Sequence, residues 1–264
     1  MPGFKGKVAF ISGGATGIGL ACARAVLDGA GRVMLAARRR DVLENAVSTL
    51  GYGADFVECD VTQDASVDAA IARTVERFGS LNLAVNAAGM GMAGPVTATA
   101  TDAFAMTIDT NLTGVMRCIR AEANVMKKAG GGSIVNISSI AGVLTHRWMS
   151  AYCVSKAGVN MLTRCAADEL GEHGIRVNAV MPGLVDTELA VTLTSSEAAT
   201  DEYKRRMPIS RIGIPADVGA IVGFLLSDEA GWITGQCIGV DGGHTLRQGP
   251  ELVDLFRPLM PDVD

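Results

Sequence analysis

The sequence predicts an α/β protein, a doubly wound parallel sheet with helices on both faces, formed by a single domain over residues 1–264. Three observations carry this. Short continuous apolar runs alternate with helical patterns along the chain, as βα units require. A glycine-rich turn joins the first apolar run to the first helical pattern. No composition shift marks a second core, and 48% hydrophobic residues over 264 positions suffice for one large core.

Val8–Ile11 is a continuous apolar run of the kind a strand buried on both faces needs. Ser12-Gly13-Gly14-Ala15-Thr16-Gly17-Ile18-Gly19 follows, and Leu20, Ala23, Ala25, Val26 and Leu27 then give a helix ended by Gly29 and Gly31. Strand, glycine turn and helix present backbone N–H groups and a positive helix end to a pyrophosphate. The glycine spacing, G-x-x-x-G-x-G, differs from the common dinucleotide fingerprint. The alternation continues with strands at Val33–Ala36, Ala54–Glu58, Leu83–Val85, Ser133–Ser138 and Arg176–Met181. Helices are expected over Asp41–Leu50, Ala65–Phe78, Thr101–Lys128 and Tyr152–Leu170. Between Pro182 and Pro215 no strand is expected and one helix over Thr194–Arg206. This segment, about 183–214, reads as a lid, with Leu184, Val185, Leu189 and Met207 suited to covering an apolar substrate.

Tyr152 and Lys156 stand four apart in a helical stretch and so share one face. An ammonium beside a phenol stabilises the phenolate and brings it towards acid/base work. Ser139 ends the preceding strand, at the carboxyl end where open α/β folds bind ligands.

Composition narrows the partners. The net charge is −5, and there is no basic block beyond short runs such as Arg38-Arg39-Arg40, which argues against nucleic acid or an anionic membrane. The six cysteines are scattered without a Cys-x-x-Cys pair, as expected of thiols in a reducing cytoplasm. The first apolar run is too short for a signal peptide, and no stretch approaches the ~20 apolar residues of a membrane span. No metal site is expected.

Taken together, these motifs resemble the short-chain dehydrogenase/reductase family, over nearly the whole chain. Ser12-Gly13-x-x-x-Gly17-x-Gly19 resembles its cofactor turn, Asn86-Ala87-Ala88-Gly89 its Asn-Ala-Gly strand end, and Asp241-Gly242-Gly243 the end of its last strand. Asn111, Ser139, Tyr152 and Lys156 match its catalytic tetrad in order and spacing. Pro182, Gly183 and Thr187, with Val185 between them, resemble the segment that holds the nicotinamide carboxamide. Ser12 replaces the usual threonine.

The resemblance implies a Rossmann-like fold and hydride transfer between a secondary alcohol or ketone, of medium or large apolar kind, and NAD(P). Tyr152 would move the proton, Lys156 would lower its pKa and hold the ribose, Ser139 would bind the substrate oxygen, and Asn111 would position a relay water. Cofactor contacts are implied for Ser12, Gly13, Thr16, Gly17, Ile18, Gly19, Arg38, Asp60, Val61, Asn86, Ala87, Gly89, Tyr152, Lys156, Pro182, Gly183, Val185 and Thr187. At the end of the second strand, Ala37 stands where NAD users carry an acid, and Arg38 resembles the phosphate-binding arginine of NADP users. NADP(H) is therefore favoured, with NAD(H) possible. A homotetramer is implied, with Met116, Ile119, Met161, Leu162 and Cys165 available for its contacts.

A non-catalytic dinucleotide-binding scaffold of the same fold is the alternative, and the presence of both Tyr152 and Lys156 argues against it. Met90, Met92, Leu144, Trp148, Leu184 and Leu189 are expected around the substrate. His146 could contact it, though a merely packed histidine is the favoured reading. The tail over 244–264, with Leu252, Val253, Leu255 and Phe256, is expected to pack as a short helix.

Overall fold

The structure, a computed structural model, describes residues 3–247 together with Leu252 and Arg257. The helix expected in the tail lies outside the described residues.

Seven strands form one sheet in the order β3-β2-β1-β4-β5-β6-β7, all neighbours parallel. They are β1 (Val8–Ser12), β2 (Arg32–Ala37), β3 (Ala54–Glu58), β4 (Leu83–Asn86), β5 (Gly132–Ile137), β6 (Ile175–Pro182) and β7 (Cys237–Val240). The order reverses between β1 and β4, and such a switch point opens a crevice at the carboxyl ends of the strands.

Helices cover both faces. Phe10, Met34 and Ile134 point to one side, onto α3 (Asp64–Phe78), α5 (Gly114–Ala129) and α6 (Ser150–Leu170). Ile11, Leu35 and Val135 point to the other, onto α1 (Gly17–Asp28), α2 (Arg40–Leu50) and α9 (Pro215–Leu226). Alternate residues of one strand thus feed two cores, which is why the strands read as unbroken apolar runs. Each fully buried Ile, Leu or Phe contributes ~1.5–3 kcal/mol.

Two expectations about elements are corrected. The single helix expected over Thr101–Lys128 is divided into α4 (Thr101–Ile108), a wider π-helical turn at Asp109–Thr113, and α5. Its apolar period runs unbroken through a π turn, which adds a residue without ending the helix. Over the expected lid the chain forms a 3-10 turn (Glu188–Ala190), a short α7 (Val191–Thr194) and α8 (Glu197–Arg206), where one helix had been expected. Ser196 ends the first part, because its hydroxyl caps α8 by accepting from the Ala199 N–H at 3.3 Å.

Candidate active site

The glycine turn between β1 and α1 is a cradle that side chains would fill. Gly13 has φ +67°, and a Cβ there would lie 2.6 Å from the Ala88 backbone nitrogen. A Cβ at Gly19 would come within 2.2 Å of the Gly13 carbonyl oxygen. Thr16 precedes α1 in extended conformation without a side-chain capping bond, so the first N–H groups of α1 remain available to an anion. These features fit the pyrophosphate of a dinucleotide.

Two clefts meet at this turn, both lined by Gly13, Thr16, Ala88 and Gly89. The smaller, about 170 Å³, has walls of Ala36, Ala37, Arg38, Arg39, Asp60, Val61 and Thr62. Arg38 makes no hydrogen bond or ion pair among the described residues. Asp60 accepts from the Thr62 backbone (3.0 Å) and hydroxyl (2.8 Å). These bonds hold its carboxyl below the usual range, and the charge of Arg38 adds to the effect. Arg39 reaches instead to Glu188, 149 positions away, through two hydrogen bonds of 3.0 and 2.9 Å.

The larger cleft, about 280 Å³, brings together Ser139, Tyr152 and Lys156 with Gly17, Ile18, Gly19, Ala87, Pro182, Gly183, Val185 and Thr187. Ser139 leaves β5 and caps the 3-10 turn Ile140–Gly142, its oxygen accepting from the Ala141 N–H at 3.1 Å. That leaves the hydroxyl proton free to donate. Burial pushes the Tyr152 phenol above its ordinary pKa, and the hydrogen bond with Ser139 pulls it back. The Lys156 Nζ donates to the Ile137 carbonyl at 2.9 Å and lies 5.7 Å from the centre of the Tyr152 ring. Burial brings its pKa down to about 8.

Asn111 sits in the π turn. Its amide exchanges bonds with the Met90 backbone (2.8 and 2.9 Å) and donates to Ser155 Oγ at 3.1 Å. The Asn111 side chain therefore pins the Met90 loop to α6. Gly89 lies directly beside this pair, since a Cβ there would stand in ordinary contact at 3.4 Å from Asn111 Oδ1 and 3.8 Å from Lys156 Nζ.

Ser12 and Asn86 lie beneath the cleft floor, both 1% exposed. Strand register sets Ser12, Asn86 and Asn136 side by side. Ser12 Oγ donates to Asn86 Oδ1 (3.4 Å), and the Asn86 amide donates to Asn136 (3.0 Å) and to Glu122 (3.2 Å). Their part is to tie β1, β4 and β5 together under the site. The Glu122 carboxyl, wholly enclosed, is raised by burial to about 8.

Of the side chains expected around the substrate, Met90, Leu184 and Leu189 line the larger cleft. Met92, Leu144 and Trp148 do not. Met92 takes a hydrogen bond from Thr107 at 3.9 Å, and Trp148 is 59% exposed. Met149, Leu193 and Tyr203 line it as well, and His146 joins them. Tyr203 escaped the sequence reading because α8 looks like a charged surface helix, and only the chain path over the cleft brings its ring inward.

Comparisons with known proteins bear on the family and the reaction class. A family model described as enoyl-(acyl carrier protein) reductase matches residues 13–245. The chain is 38% identical to cis-4-hydroxycyclohexanecarboxylate dehydrogenase of Sinomonas cyclohexanicum, over 92% of this chain and 98% of that protein. It is 35% identical to 2,5-dichloro-2,5-cyclohexadiene-1,4-diol dehydrogenase of Sphingobium indicum, over 93% and 99%. The structure of a short-chain type dehydrogenase/reductase from Mycobacterium ulcerans superposes with a TM-score of 0.90 at 36% identity, covering 98% of this chain and 97% of that one. With a parallel sheet, a glycine cradle at its switch point and a Ser139–Tyr152–Lys156 cluster beside it, this chain belongs to the short-chain dehydrogenase/reductase family.

Proposed function

We propose that the chain interconverts a secondary ring alcohol and its ketone, with Ser139, Tyr152 and Lys156 as the residues that act at the reacting oxygen. The observation that carries the assignment is their meeting in one mainly apolar cleft continuous with the glycine cradle. The ring specificity is supported by the two dehydrogenases of cyclic alcohols among the relatives. A bound nicotinamide dinucleotide supplies or accepts the hydride. Ser139 donates a hydrogen bond to the substrate oxygen and fixes its place. Tyr152 takes the hydroxyl proton when an alcohol is oxidised and returns it when a ketone is reduced. Lys156, protonated below about pH 8, favours the phenolate and holds the ribose. Asn111 keeps the Met90 loop and α6 in register, and the π turn around it is the place for a relay water. Residues 183–214 act as a lid within a single domain.

Tyr152→Phe tests this reading. General acid/base groups contribute ~10²–10⁴ in rate, so the variant should bind dinucleotide as the wild type does and lose nearly all turnover of cyclic alcohols. Retention of more than about a tenth of kcat would remove Tyr152 from the role.

The cofactor reading favours NADP(H). The cleft beyond β2 offers Ala37 where a ribose-binding acid would stand, and Arg38 without a bonded partner among the described residues. A guanidinium grips phosphate bidentately, for ~1.5–3 kcal/mol, or roughly ten- to 150-fold in affinity. Ala37→Asp/Arg38→Leu should reverse the ratio of kcat/KM for the two cofactors. Wild-type preference for NADH, or a ratio the double variant does not move, would overturn it. A homotetramer is the assembly proposed, and its partners are copies of this chain and a small-molecule substrate rather than nucleic acid.

A further inference from the structure

At the larger cleft, three segments distant in sequence bring polar rings together. His146 comes from the connection between β5 and α6, Tyr203 from α8, and His244 from the turn after β7. His146 and Tyr203 line the cleft. His244 stands behind them, 8% exposed, its ring edge-on to Tyr203 with centroids 5.3 Å apart and planes at 77°.

The Nδ1 atoms of both histidines are buried and have no hydrogen-bond partner among the described residues. Burying an imidazole nitrogen without a partner is costly, and two such atoms beside one cleft indicate a polar group supplied by a ligand. The sign of the local charge says which kind. The positive charge of Arg206 acts on His146, Tyr203 and His244 alike. Asp241 and Glu202 offset this charge at His244, behind the cleft wall, whereas no carboxylate among the described residues acts on His146 or Tyr203, which face the cleft. The one acid on the cleft wall, Glu188, is already held by Arg39. Burial and Arg206 lower the pKa of His146 against a bond with the Leu144 backbone that raises it, and with Glu188 already paired an incoming anion displaces no bound carboxylate from the ring and phenol donors.

We propose that His146 and Tyr203, backed by His244, form a subsite for a carboxylate on the substrate, so that the ring alcohol handled at Tyr152 also carries an acid group. This rests on the ring-alcohol reading above. Ser139 and Tyr152 take the reacting oxygen, the aliphatic wall of Met149, Leu189 and Leu193 packs on the ring, and the carboxylate reaches the histidine side. Two polar anchors with an apolar span between them fix which ring carbon faces the cofactor.

The experiment compares hydroxycyclohexanecarboxylates, with the acid at ring carbon 3 or 4, against their methyl esters. The acid should exceed its ester in kcat/KM by roughly tenfold or more, as a charge-assisted anchor implies. His146→Gln and Tyr203→Phe should each shrink that ratio, mainly through the KM of the acid. Calorimetry with cyclohexanecarboxylate and the neutral cyclohexanecarboxamide reads the subsite without turnover, on the full chain with dinucleotide present. Tighter binding of the carboxylate, weakened in His146→Gln, is the expected result. Ester and acid used equally well, or carboxylate and carboxamide bound equally, would overturn the subsite and leave the ring-alcohol activity standing. Turnover of none of the alcohols, with the carboxylate still preferred in calorimetry, would overturn the activity and leave the subsite.

Discussion

Glu122 shows how one buried group can make stability depend on pH. One of its oxygens accepts from Asn86, and the other has no partner among the described residues. Burial raises its pKa from an ordinary 4.5 to about 8. Below about pH 4.5 folded and unfolded chains both hold this proton, and it costs nothing. From there to about pH 8 the unfolded chain releases it while the folded chain keeps it, so stability falls as pH rises. Above about 8 the loss is complete, on the order of a few kcal/mol. Lys156 acts with the opposite sign in a higher window. Its folded pKa of about 8 lies below the ordinary 10.5, so stability recovers as pH climbs between those values. Glu122→Gln keeps an acceptor for Asn86 and removes the titration. Melting temperatures from pH 5 to 8 should decline in wild type and stay flatter in the variant. Parallel curves would show that Glu122 ionises as an exposed acid does.

At the scale of elements, the connection after β2 and the 3-10 turn Glu188–Ala190 meet through Arg39 and Glu188. Both side chains are more than half exposed, so the pair adds little to stability. Its consequence is local. Glu188 neutralises the guanidinium next to Arg38, at the place proposed above for a 2′-phosphate. Glu188→Gln should leave the melting temperature unchanged and raise the preference for NADPH over NADH several-fold at low salt, with the gain shrinking as salt is added. A preference the substitution leaves alone would show that Arg39 has no part in cofactor choice. The π turn at Asp109–Thr113 is the other element-scale device, since it lets one long helical stretch place Asn111 against Met90 and Ser155 while α5 still packs on the sheet.

For the whole molecule, the surface of α4, α5 and α6 carries exposed Met106, Met116, Val154 and Met161, with Cys165 also exposed. Of the five residues expected at a subunit contact, Ile119 is 6% exposed and Leu162 packs on the core of its own chain. Met116, Met161 and Cys165 are left exposed and available to the proposed contact. A two-fold contact brings each such side chain close to its own copy, so a charge placed there is felt twice. Met161→Lys should therefore lower the mass seen by light scattering below that of the tetramer, with folding retained because the side chain is 56% exposed in the single chain. A wild-type monomer at micromolar concentration would refute the assembly.

The sequence by itself determined the βα order, the strand cores, the glycine cradle and the pairing of Tyr152 with Lys156. Each is written in short-range terms: apolar runs, the 3.6-residue period, and turns that tolerate no Cβ. It also supplied the family resemblance, and with it Ser139 and Asn111. Tertiary structure alone decided which polar residues reach the clefts. The family resemblance implies cofactor contacts for Ser12 and Asn86, while strand register sets their side chains in a bonded layer below the floor. Arg39 and Glu188, and likewise His146, Tyr203 and His244, meet only because the segment 183–214 and the turn after β7 fold back toward the cleft. Contacts across such distances follow from chain path and packing, and no local period records them.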